Sequence, residues 1–375
     1  MLIIIFILLN FYLFLIGSLA YGFDKVPSLK MEDITPKTKF SVIIPFRNEA
    51  EQLPKLLKSI SKLNYPEAMF EIIFIDDGSK DNSVDIINKN SKQLKLINIS
   101  VIKNERTSNA PKKDALTTAI KTAKHDWIVT TDADCKLPKY WLDTFDNYIQ
   151  KSDARMLAAP VTFGEVHSFF ERFQLLDMLS LQGATIGGFG INMPFLCNGA
   201  NLAYQKGFFN ELNGFDGNSD IASGDDIFLL EKAVKQDKNN VIYIKNEQAI
   251  VTTNPQPNFK SLISQRVRWA AKTSHYKNVF GKLTGFLVLL MNALLICLPL
   301  LYVWQMISVK TMLYTVVIKF SIDFLLLFKT ARFFGQERYL ASYLFSSVLY
   351  PFFSVYVAFI SVFKGYKWKG RTYTK

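Results

Sequence analysis

Hydrophobic residues are concentrated in four runs, one at the start of the chain and three near its end. The first run, residues 1–22, contains no charged side chain. At about 1.5 Å per residue, a helix of that length reaches across the hydrocarbon core of a bilayer. The later runs cover residues 283–307, 311–328 and 339–363. The middle one is the least apolar because it carries Lys319 and Asp323, which are spaced to pair on a helix. We expect a transmembrane anchor at 1–22 and membrane helices within 283–363.

Residues 39–278 follow a different pattern, in which short β-forming segments alternate with amphipathic helical segments. The predicted strands are residues 40–45, 71–75, 96–102 and 127–131, and the predicted helices are residues 50–62, 83–90 and 113–123. Strands that alternate with helices form parallel sheets with helices on both faces. The predicted fold class is therefore α/β, with a Rossmann-like, mainly parallel sheet. The glycine-rich stretch 183–190 does not follow a strand, so we expect a mobile loop there rather than a dinucleotide site.

The composition supports a membrane protein with basic cytoplasmic surfaces. Hydrophobic residues make up 49% of the chain and the net charge is +12. A nucleic-acid-binding protein is rarely so apolar, and we expect no nucleic-acid partner. The 3 cysteines form no C-x-x-C pair, so neither a zinc site nor a disulfide framework is indicated. Lysines follow the first run at positions 25, 30, 37 and 39. Because positive residues favour the inside, we expect residues 39–278 on the cytoplasmic face of the cell (inner) membrane.

For the basic tail, residues 364–375, the positive-inside rule and the number of apolar runs predict opposite sides of the membrane. It contains lysines and an arginine but no acid, which favours the cytoplasmic side. Three full crossings after the central domain would leave it outside. We expect an even number of full crossings after Trp269, with a cytoplasmic tail and Arg371 near the active site. Either the last run, which contains Pro351, enters and leaves the membrane on one side, or the run with Lys319 stays out of its core.

Carboxylates follow three of the predicted strands. Glu49 comes after the first strand, Asp76 and Asp77 after the second, and Asp132 and Asp134 after the fourth. In such sheets, ligands bind beyond the carboxyl ends of the strands. Any one acid could simply cap a helix, but grouped carboxylates repel by about 4 kcal/mol per pair at roughly 4 Å and an effective dielectric constant of about 20. A cation offsets this cost, and oxygen ligands suit Mg²⁺ or Mn²⁺, which also takes phosphate oxygens. We expect such a metal site holding a diphosphate.

Six short segments occur in an order that resembles a known family. They are IPFRNE, FIDDGS, PKKDAL, TTDADCKLP, GDDIFLL and QRVRW, within residues 40–269. This series resembles the family-2 glycosyltransferases of the GT-A fold. The flanking membrane runs and the tail segment WKGR are most similar to ceramide glucosyltransferase and its bacterial relatives. Cellulose and hyaluronan synthases share Gln265, Arg268 and Trp269 of the Q-x-x-R-W motif.

The resemblance implies a site for a nucleotide-diphosphate sugar, with a UDP-sugar expected. Glu49 and one or both of Asp76 and Asp77 would bind the uridine and ribose. Lys112 or Lys113 would lie near the nucleotide. Asp132 and Asp134 match the D-x-D motif. In that motif Asp134 would ligate the metal, and Asp132 would contact both the metal and the donor.

The resemblance also assigns the chemical step and the acceptor. Asp226 would be the general base, although Asp225 precedes it where many members have Glu, which leaves open which carboxylate acts. Arg268 would hold the leaving diphosphate, because a guanidinium can donate two parallel hydrogen bonds to phosphate oxygens. Trp269 would stack on the acceptor, with Gln265 beside it in the motif.

These residues predict an inverting glycosyltransferase that moves a sugar to a lipid or lipid-linked acceptor at the cytoplasmic membrane face. The predicted domains are an anchor (1–22), a GT-A domain (39–278), membrane helices (283–363) and a basic tail (364–375). Two alternatives remain. One is a processive polysaccharide synthase, for which three C-terminal runs are few. The other is a non-catalytic membrane scaffold, against which the intact motifs argue.

Overall fold

The fold is described from a computed structural model, which describes residues 1–94 and 98–373. The strands are β1 (Phe40–Phe46), β2 (Phe70–Asp76), β3 (Ile99–Lys103), β4 (Trp127–Thr130), β5 (Met156–Ala158), β6 (Val161–Phe163), β7 (Leu202–Gln205), β8 (Val241–Tyr243), β9 (Val251–Thr253), β10 (Tyr366–Trp368) and β11 (Arg371–Tyr373). The helices are α1 (Leu2–Lys25), α2 (Leu53–Ile60), α3 (Ser83–Gln93), α4 (Pro111–Thr122), α5 (Trp141–Gln150), α6 (Phe169–Gly190), α7 (Lys206–Glu211), α8 (Asp225–Asp237), α9 (Phe259–Ala271), α10 (Val279–Val303), α11 (Val309–Phe333) and α12 (Tyr343–Phe363). The start of the third predicted strand, at Leu96 and Ile97, lies outside the described residues.

The chain divides into two compact units. The sheet unit comprises Pro27–Gly164 and Cys197–Asn254, and the helical unit comprises Met1–Val26, Glu165–Leu196 and Pro255–Lys375. Residues 165–196 and 255–278, which the sequence analysis assigned to the catalytic domain, group with the apolar helices. The predicted single domain over 39–278 therefore differs from the grouping in the structure, where α6 and α9 belong to the helical unit.

The sheet unit is built on seven strands in the order β3-β2-β1-β4-β7-β5-β8. Strands β3, β2, β1 and β4 run parallel, whereas β7 is antiparallel to both β4 and β5. This confirms the predicted α/β class with a mainly parallel sheet. The central strands are apolar along almost their whole length because helices cover both faces. The carboxyl ends of β1, β2 and β4 consequently share one edge.

Within residues 1–94 and 98–373, the helical unit contains four helices that are long and apolar enough to cross a membrane. They are Leu2–Lys25, Val279–Val303, Val309–Phe333 and Glu337–Phe363, with mean hydropathies of 2.6, 2.5, 1.8 and 1.7. Lys319 and Asp323 pair as expected, with Nζ 2.7 Å from Oδ2. Pro351 lies inside α12, which continues as one helix through residue 363. The structure thus shows no hairpin within α12, which was the arrangement considered for the last run; the alternative concerned the run that carries Lys319.

The glycine-rich stretch 183–190 is helical, so the prediction of a mobile loop was wrong. It forms the second half of α6, which packs closely on α1. A Cβ on Gly187 would collide with the carbonyl oxygen of Leu19, and one on Gly190 with that of Gly22. Small residues allow two helices to approach backbone to backbone. The glycines therefore serve helix packing.

Candidate active site

The D-A-D segment lies directly beyond β4, at the carboxyl edge of the sheet. β4 pairs with β1 in parallel, Thr130 opposite Ile43, and Asp132 and Asp134 follow. Asp132 is half-buried and Asp134 is exposed. The Thr130 hydroxyl donates to the carbonyl oxygen of Gly199 at 2.8 Å. This hydrogen bond fixes the end of β4 against the turn at residues 198–201.

Lys112 joins two carboxylates that are distant in sequence. It lies in the first turn of α4, and its Nζ is 2.8 Å from Asp132 Oδ1 and 3.2 Å from Asp225 Oδ2. Burial opposes the charged form of this lysine, but Asp132 and then Asp225 outweigh it and raise the pKa of Lys112 above its usual range. The ammonium therefore stays charged and offsets the repulsion between these acids.

Asp225 and Asp226 are the first residues of α8. Gly224 caps the helix with φ of 85°, a left-handed conformation that suits glycine. Acids are stabilised at this end by the helix dipole. The Gly199 amide donates to Asp226 Oδ2 at 3.2 Å. A Cβ on Gly199 would stand only 2.9 Å from Asp225 Oδ2, so glycine at this position leaves room for the turn at 198–201 beside the acids.

The segments beyond β1 and β2 are held in place by hydrogen bonds at Glu49, Asp76 and Asp77. Asp76 Oδ1 accepts from the Ser79 amide at 2.8 Å, which closes a turn after β2. Asp77 is buried, and its Oδ1 accepts from Asn104 Nδ2 at 2.8 Å. The Glu49 amide donates to the hydroxyl of Ser83 at 2.9 Å. Asp76 therefore closes a turn, whereas the helix-capping role considered for these acids is not seen at α3, whose N-cap is Asn82. The binding of these acids to a nucleotide stays a prediction.

Lys113 lies elsewhere than the sequence analysis expected. Its side chain is 2% exposed, and its Nζ donates to the carbonyl oxygens of Asn218 at 2.6 Å and Ile221 at 2.9 Å. The ammonium also lies 4.7 Å from the ring centroid of Phe228. The lysine that faces the carboxylates is Lys112, so we do not retain Lys113 as a nucleotide-binding residue.

In the helical unit, α9 presents Gln265, Arg268 and Trp269, all half-buried. The sequence analysis missed Arg266, which is 5% exposed. Its Nε is 2.6 Å from Asp177 Oδ2, Nη1 donates to Gln265 Oε1, and the guanidinium lies 4.2 Å from the centroid of the Trp269 ring. No local pattern separated Arg266 from Arg268, because the packing of α9 decides which of them meets Asp177.

The described residues suit a metal that binds together with a diphosphate. Within residues 1–94 and 98–373, no group of three or more His, Cys, Asp or Glu side chains forms a closed metal cage. A closed cage is not required, because Mg²⁺ usually binds through one or two carboxylates plus substrate phosphates and waters. Asp134 offers an exposed carboxylate, and Asp132 lies two residues before it beside the Lys112 ammonium. The two aspartates therefore fit Mg²⁺ or Mn²⁺.

The fold and this acidic edge define a sugar-transferring enzyme of the GT-A class. The family model described as glycosyl transferase family 2 matches residues 41–208, and the model described as glycosyl transferase family group 2 matches residues 127–362. The chain belongs to the family-2 glycosyltransferases. This confirms the predicted enzyme class and leaves the scaffold alternative without support. The narrower resemblance to ceramide glucosyltransferase stays an expectation.

Curated relatives are similar over parts of their length. The probable glycosyltransferase YdaM of Bacillus subtilis is 27% identical over 248 residues, which is 64% of this chain and 56% of YdaM. TarS of Staphylococcus aureus, a poly(ribitol-phosphate) beta-N-acetylglucosaminyltransferase, is 30% identical over 32% of this chain and 20% of TarS. An undecaprenyl-phosphate 4-deoxy-4-formamido-L-arabinose transferase of Serratia proteamaculans is 35% identical over 29% of this chain and 32% of that protein. The chain therefore spans about half or less of the length of each of these relatives.

A solved structure supports the fold over nearly the whole chain. The mannosyltransferase PcManGT of Pyrobaculum calidifontis, in complex with GDP-Man and Mn²⁺, superposes with a TM-score of 0.51. The match covers 97% of this chain and 99% of that protein at 16% identity. At this identity the likeness concerns the fold alone.

Proposed function

We propose that this protein transfers one sugar from a nucleotide-diphosphate sugar to a lipid or lipid-linked acceptor at the cytoplasmic face of the membrane. The observation that carries the proposal is the cluster at the carboxyl edge of the sheet. There Asp132 and Asp225 meet at Lys112, and Asp226 follows on α8. Acids near one ammonium at this edge suit a diphosphate donor and a metal.

The donor is proposed to bind along the carboxyl edge of the sheet. Glu49, Asp76 and Asp77 are assigned to the nucleoside, and Arg268 of α9 to the diphosphate. A UDP-sugar is the expected donor, and a GDP-sugar is the alternative suggested by the ligand of PcManGT. Lys112 is the cation proposed to meet the donor beside Asp132, because its ammonium already lies at that carboxylate.

The metal is proposed to be held by Asp134 with Asp132. When bound, Mg²⁺ or Mn²⁺ would neutralise negative charge that develops on the leaving diphosphate. The presence of Mn²⁺ in PcManGT supports a divalent ion in this fold. Lys112 and Arg268 would add fixed positive charge to the same leaving group.

Asp226 is proposed as the general base. A sugar or lipid hydroxyl has a pKa far above 7, so it must lose its proton as it attacks the anomeric carbon. The Asp225 carboxylate is engaged by the Lys112 ammonium at 3.2 Å. Asp226 has the Gly199 amide on Oδ2 and the Ile227 amide on Oδ1 as hydrogen-bond donors that orient it. Direct displacement would invert the anomeric centre.

The acceptor is proposed to be a lipid or a lipid-linked glycan. Trp269 and Gln265, assigned to acceptor binding, lie on α9, only a short segment before the apolar helix α10. Lys272, Lys277 and Lys282 follow Trp269, and basic residues of this kind attract anionic headgroups. The undecaprenyl-phosphate transferase of Serratia supports a lipid acceptor by its name.

A cytoplasmic tail is supported by one contact inside the helical unit. Strand β10, which follows α12, packs against α9, which precedes α10. The chain that follows α12 therefore returns to the helix that precedes α10, which supports an even number of crossings. Lys369 and Gly370 both have positive φ, as in the tight turn of a two-residue hairpin between β10 and β11.

A processive polysaccharide synthase is the alternative. Relatives named for poly(ribitol-phosphate) indicate that a polymeric acceptor also has to be considered. One experiment tests both functions. Membranes containing the protein are incubated with labelled UDP- and GDP-sugars, and the products are extracted and analysed by mass spectrometry. We expect one sugar added to an extractable lipid. A ladder of polymer lengths would favour the synthase, and turnover of no donor would overturn the proposal.

A further inference from the structure

Lys113 holds the segment that leads into the acidic end of α8. We call residues 212–224 the α8 entry segment. The Lys113 ammonium donates to the carbonyl oxygens of Asn218 and Ile221, in the second half of this segment. An ammonium that is 2% exposed is costly unless it is well paired. The two carbonyls and the Phe228 ring face supply that pairing.

The α8 entry segment has little regular structure of its own. Asn213, Gly214, Gly217 and Gly224 all have positive φ. Near Lys113, the Ile221 amide donates a long hydrogen bond of 3.2 Å to the carbonyl oxygen of Asn218. A second lysine holds the other end of the segment, where Lys232 Nζ donates to the carbonyl oxygen of Gly214 at 2.7 Å. Two ammonium groups thus hold carbonyl oxygens of this segment, and the one whose partners lie nearer to Asp225 in sequence is Lys113.

The two neighbouring lysines of α4 act on the same group of acids in different ways. Lys112 contacts the carboxylates of Asp132 and Asp225 directly. Lys113 donates to the backbone three and six residues before Gly224, and its ammonium lies over the ring of Phe228 on α8. Because both lysines belong to the first turn of one helix, α4 links the position of the D-A-D acid to that of the α8 acids.

We infer that Lys113 is a positioning residue, which fixes the α8 entry segment and thereby places Asp225 and Asp226 for the transfer step. The inference rests on the proposed role of Asp226 as the base. A displacement of about 1 Å in a reacting group can cost about a hundredfold in rate. Loss of the Lys113 ammonium should therefore reduce turnover, while the affinity for the nucleotide stays nearly unchanged.

The experiment compares K113M, K113R, K112M and K232M in the full-length protein in nanodiscs. UDP affinity is measured with Mn²⁺ present, and kcat is measured at saturating donor in native lipid extract. For K113M we expect kcat to fall about a hundredfold with little change in the Kd for UDP. K113R should recover part of the loss, because a guanidinium can also donate to carbonyls. K112M should instead raise the Kd, and K232M should have the smaller effect on kcat because it holds the far end of the segment.

A second readout does not depend on catalysis. Limited proteolysis within residues 212–224 should be faster in K113M than in K112M or the wild type. This readout separates the inference from the proposed function. If the wild type turns over no donor but K113M alone exposes the segment, the positioning contact stands and the proposed function fails. If K113M does not fold, the partial loss of kcat in K113R at unchanged Kd decides the question. Full kcat in the folded variants, or a rise in Kd with kcat unchanged in K113M, would overturn the inference.

Discussion

Lys112 determines the charge balance of the site at the scale of single residues. One ammonium lies 2.8 Å from Asp132 and 3.2 Å from Asp225, while Asp134 and Asp226 add two further carboxylates nearby in sequence. The Lys112 ammonium offsets part of the repulsion between the two acids that it contacts, and a divalent ion would offset more of the negative charge at this edge. The incoming diphosphate would bring further negative charge, so the metal and the donor are expected to bind together.

The assignment of the base can be tested with two neighbouring variants. Asp226→Asn should retain UDP binding and lose transfer by about 10²- to 10⁴-fold, because a base acts in the chemical step. Asp225→Asn is the matched control and should act mainly through its contact with Lys112. UDP binding and single-turnover transfer are measured for both. An active Asp226→Asn beside an inactive Asp225→Asn would move the base to Asp225.

The sequence predicted the acids better than it predicted the lysines. Asp132 and Asp134 were found because a strongly β-forming strand ends directly before them. Lys112 and Lys113 could not be separated by pattern, since consecutive helical residues differ by roughly 100° in direction. The direction that faces the sheet edge depends on how α4 packs. Tertiary packing therefore decided which of the two lysines meets the carboxylates.

At the scale of helices, the pair of Asp177 on α6 and Arg266 on α9 is the strongest candidate for a stabilising polar contact. Both side chains are almost fully buried, with Nε 2.6 Å from Oδ2. Breaking a buried pair from one side leaves an uncompensated charge and costs about 3–5 kcal/mol. Asp177→Ala should therefore lower the thermal stability of the detergent-purified protein clearly.

The matched control is Asp24, which pairs with Lys329 between α1 and α11. The Asp24 side chain is 59% exposed, and exposed pairs contribute about 0–1 kcal/mol. Asp24→Ala should thus leave the midpoint of thermal unfolding nearly unchanged. Equal midpoints for the Asp177 and Asp24 variants would show that the buried pair does not stabilise the α6–α9 contact.

The helices also show where local patterns mislead. The i,i+4 spacing of Lys319 and Asp323 predicted their pairing correctly, but not that the Tyr12 hydroxyl donates to Asp323 Oδ1 at 2.6 Å. That contact joins α11 to α1, which is distant in sequence. The glycines of α6 were misinterpreted for a similar reason. Glycine indicates a loop in isolation, and only the partner helix shows that the missing side chains make room for it.

At the scale of the whole chain, the tail topology is open to a direct test. We expect a cysteine at Thr374 to be labelled only from the cytoplasmic side of sealed membranes, because β10 packs against α9. A cysteine at Gln336 shows which run fails to cross. Labelling from the cytoplasmic side would mean that α12 lies at the interface, and labelling from outside would mean that α11 stays out of the membrane core. Met306, in the connection between α10 and α11, is the control and should be labelled from outside.

All three positions are tested in a background without Cys135, Cys197 and Cys297. Labelling at Thr374 only from outside would mean an odd number of crossings after Trp269. The cytoplasmic tail would then be wrong, although the assignment of the carboxylate site would be unaffected.

The fold class was predictable because alternating strands and helices are a local signal. The division into two units was not, because α6 interrupts the sheet unit in sequence yet packs on α1. Its apolar and small residues resemble those of a domain core, and no break in composition marks either end. Long-range packing, rather than sequence order, therefore set the boundary.

The most direct test of the central claim is the metal dependence of donor turnover. Membranes containing the wild type, Asp134→Asn or the exposed control Asp153→Asn are assayed with the donor found in the panel, in Mn²⁺ or in EDTA. We predict that EDTA abolishes wild-type turnover and that Mn²⁺ or Mg²⁺ restores it. Asp134→Asn should lose at least about a hundredfold in turnover while it inserts and unfolds like the wild type, and Asp153→Asn should remain fully active. Full turnover by Asp134→Asn, or by the wild type in EDTA, would contradict the account.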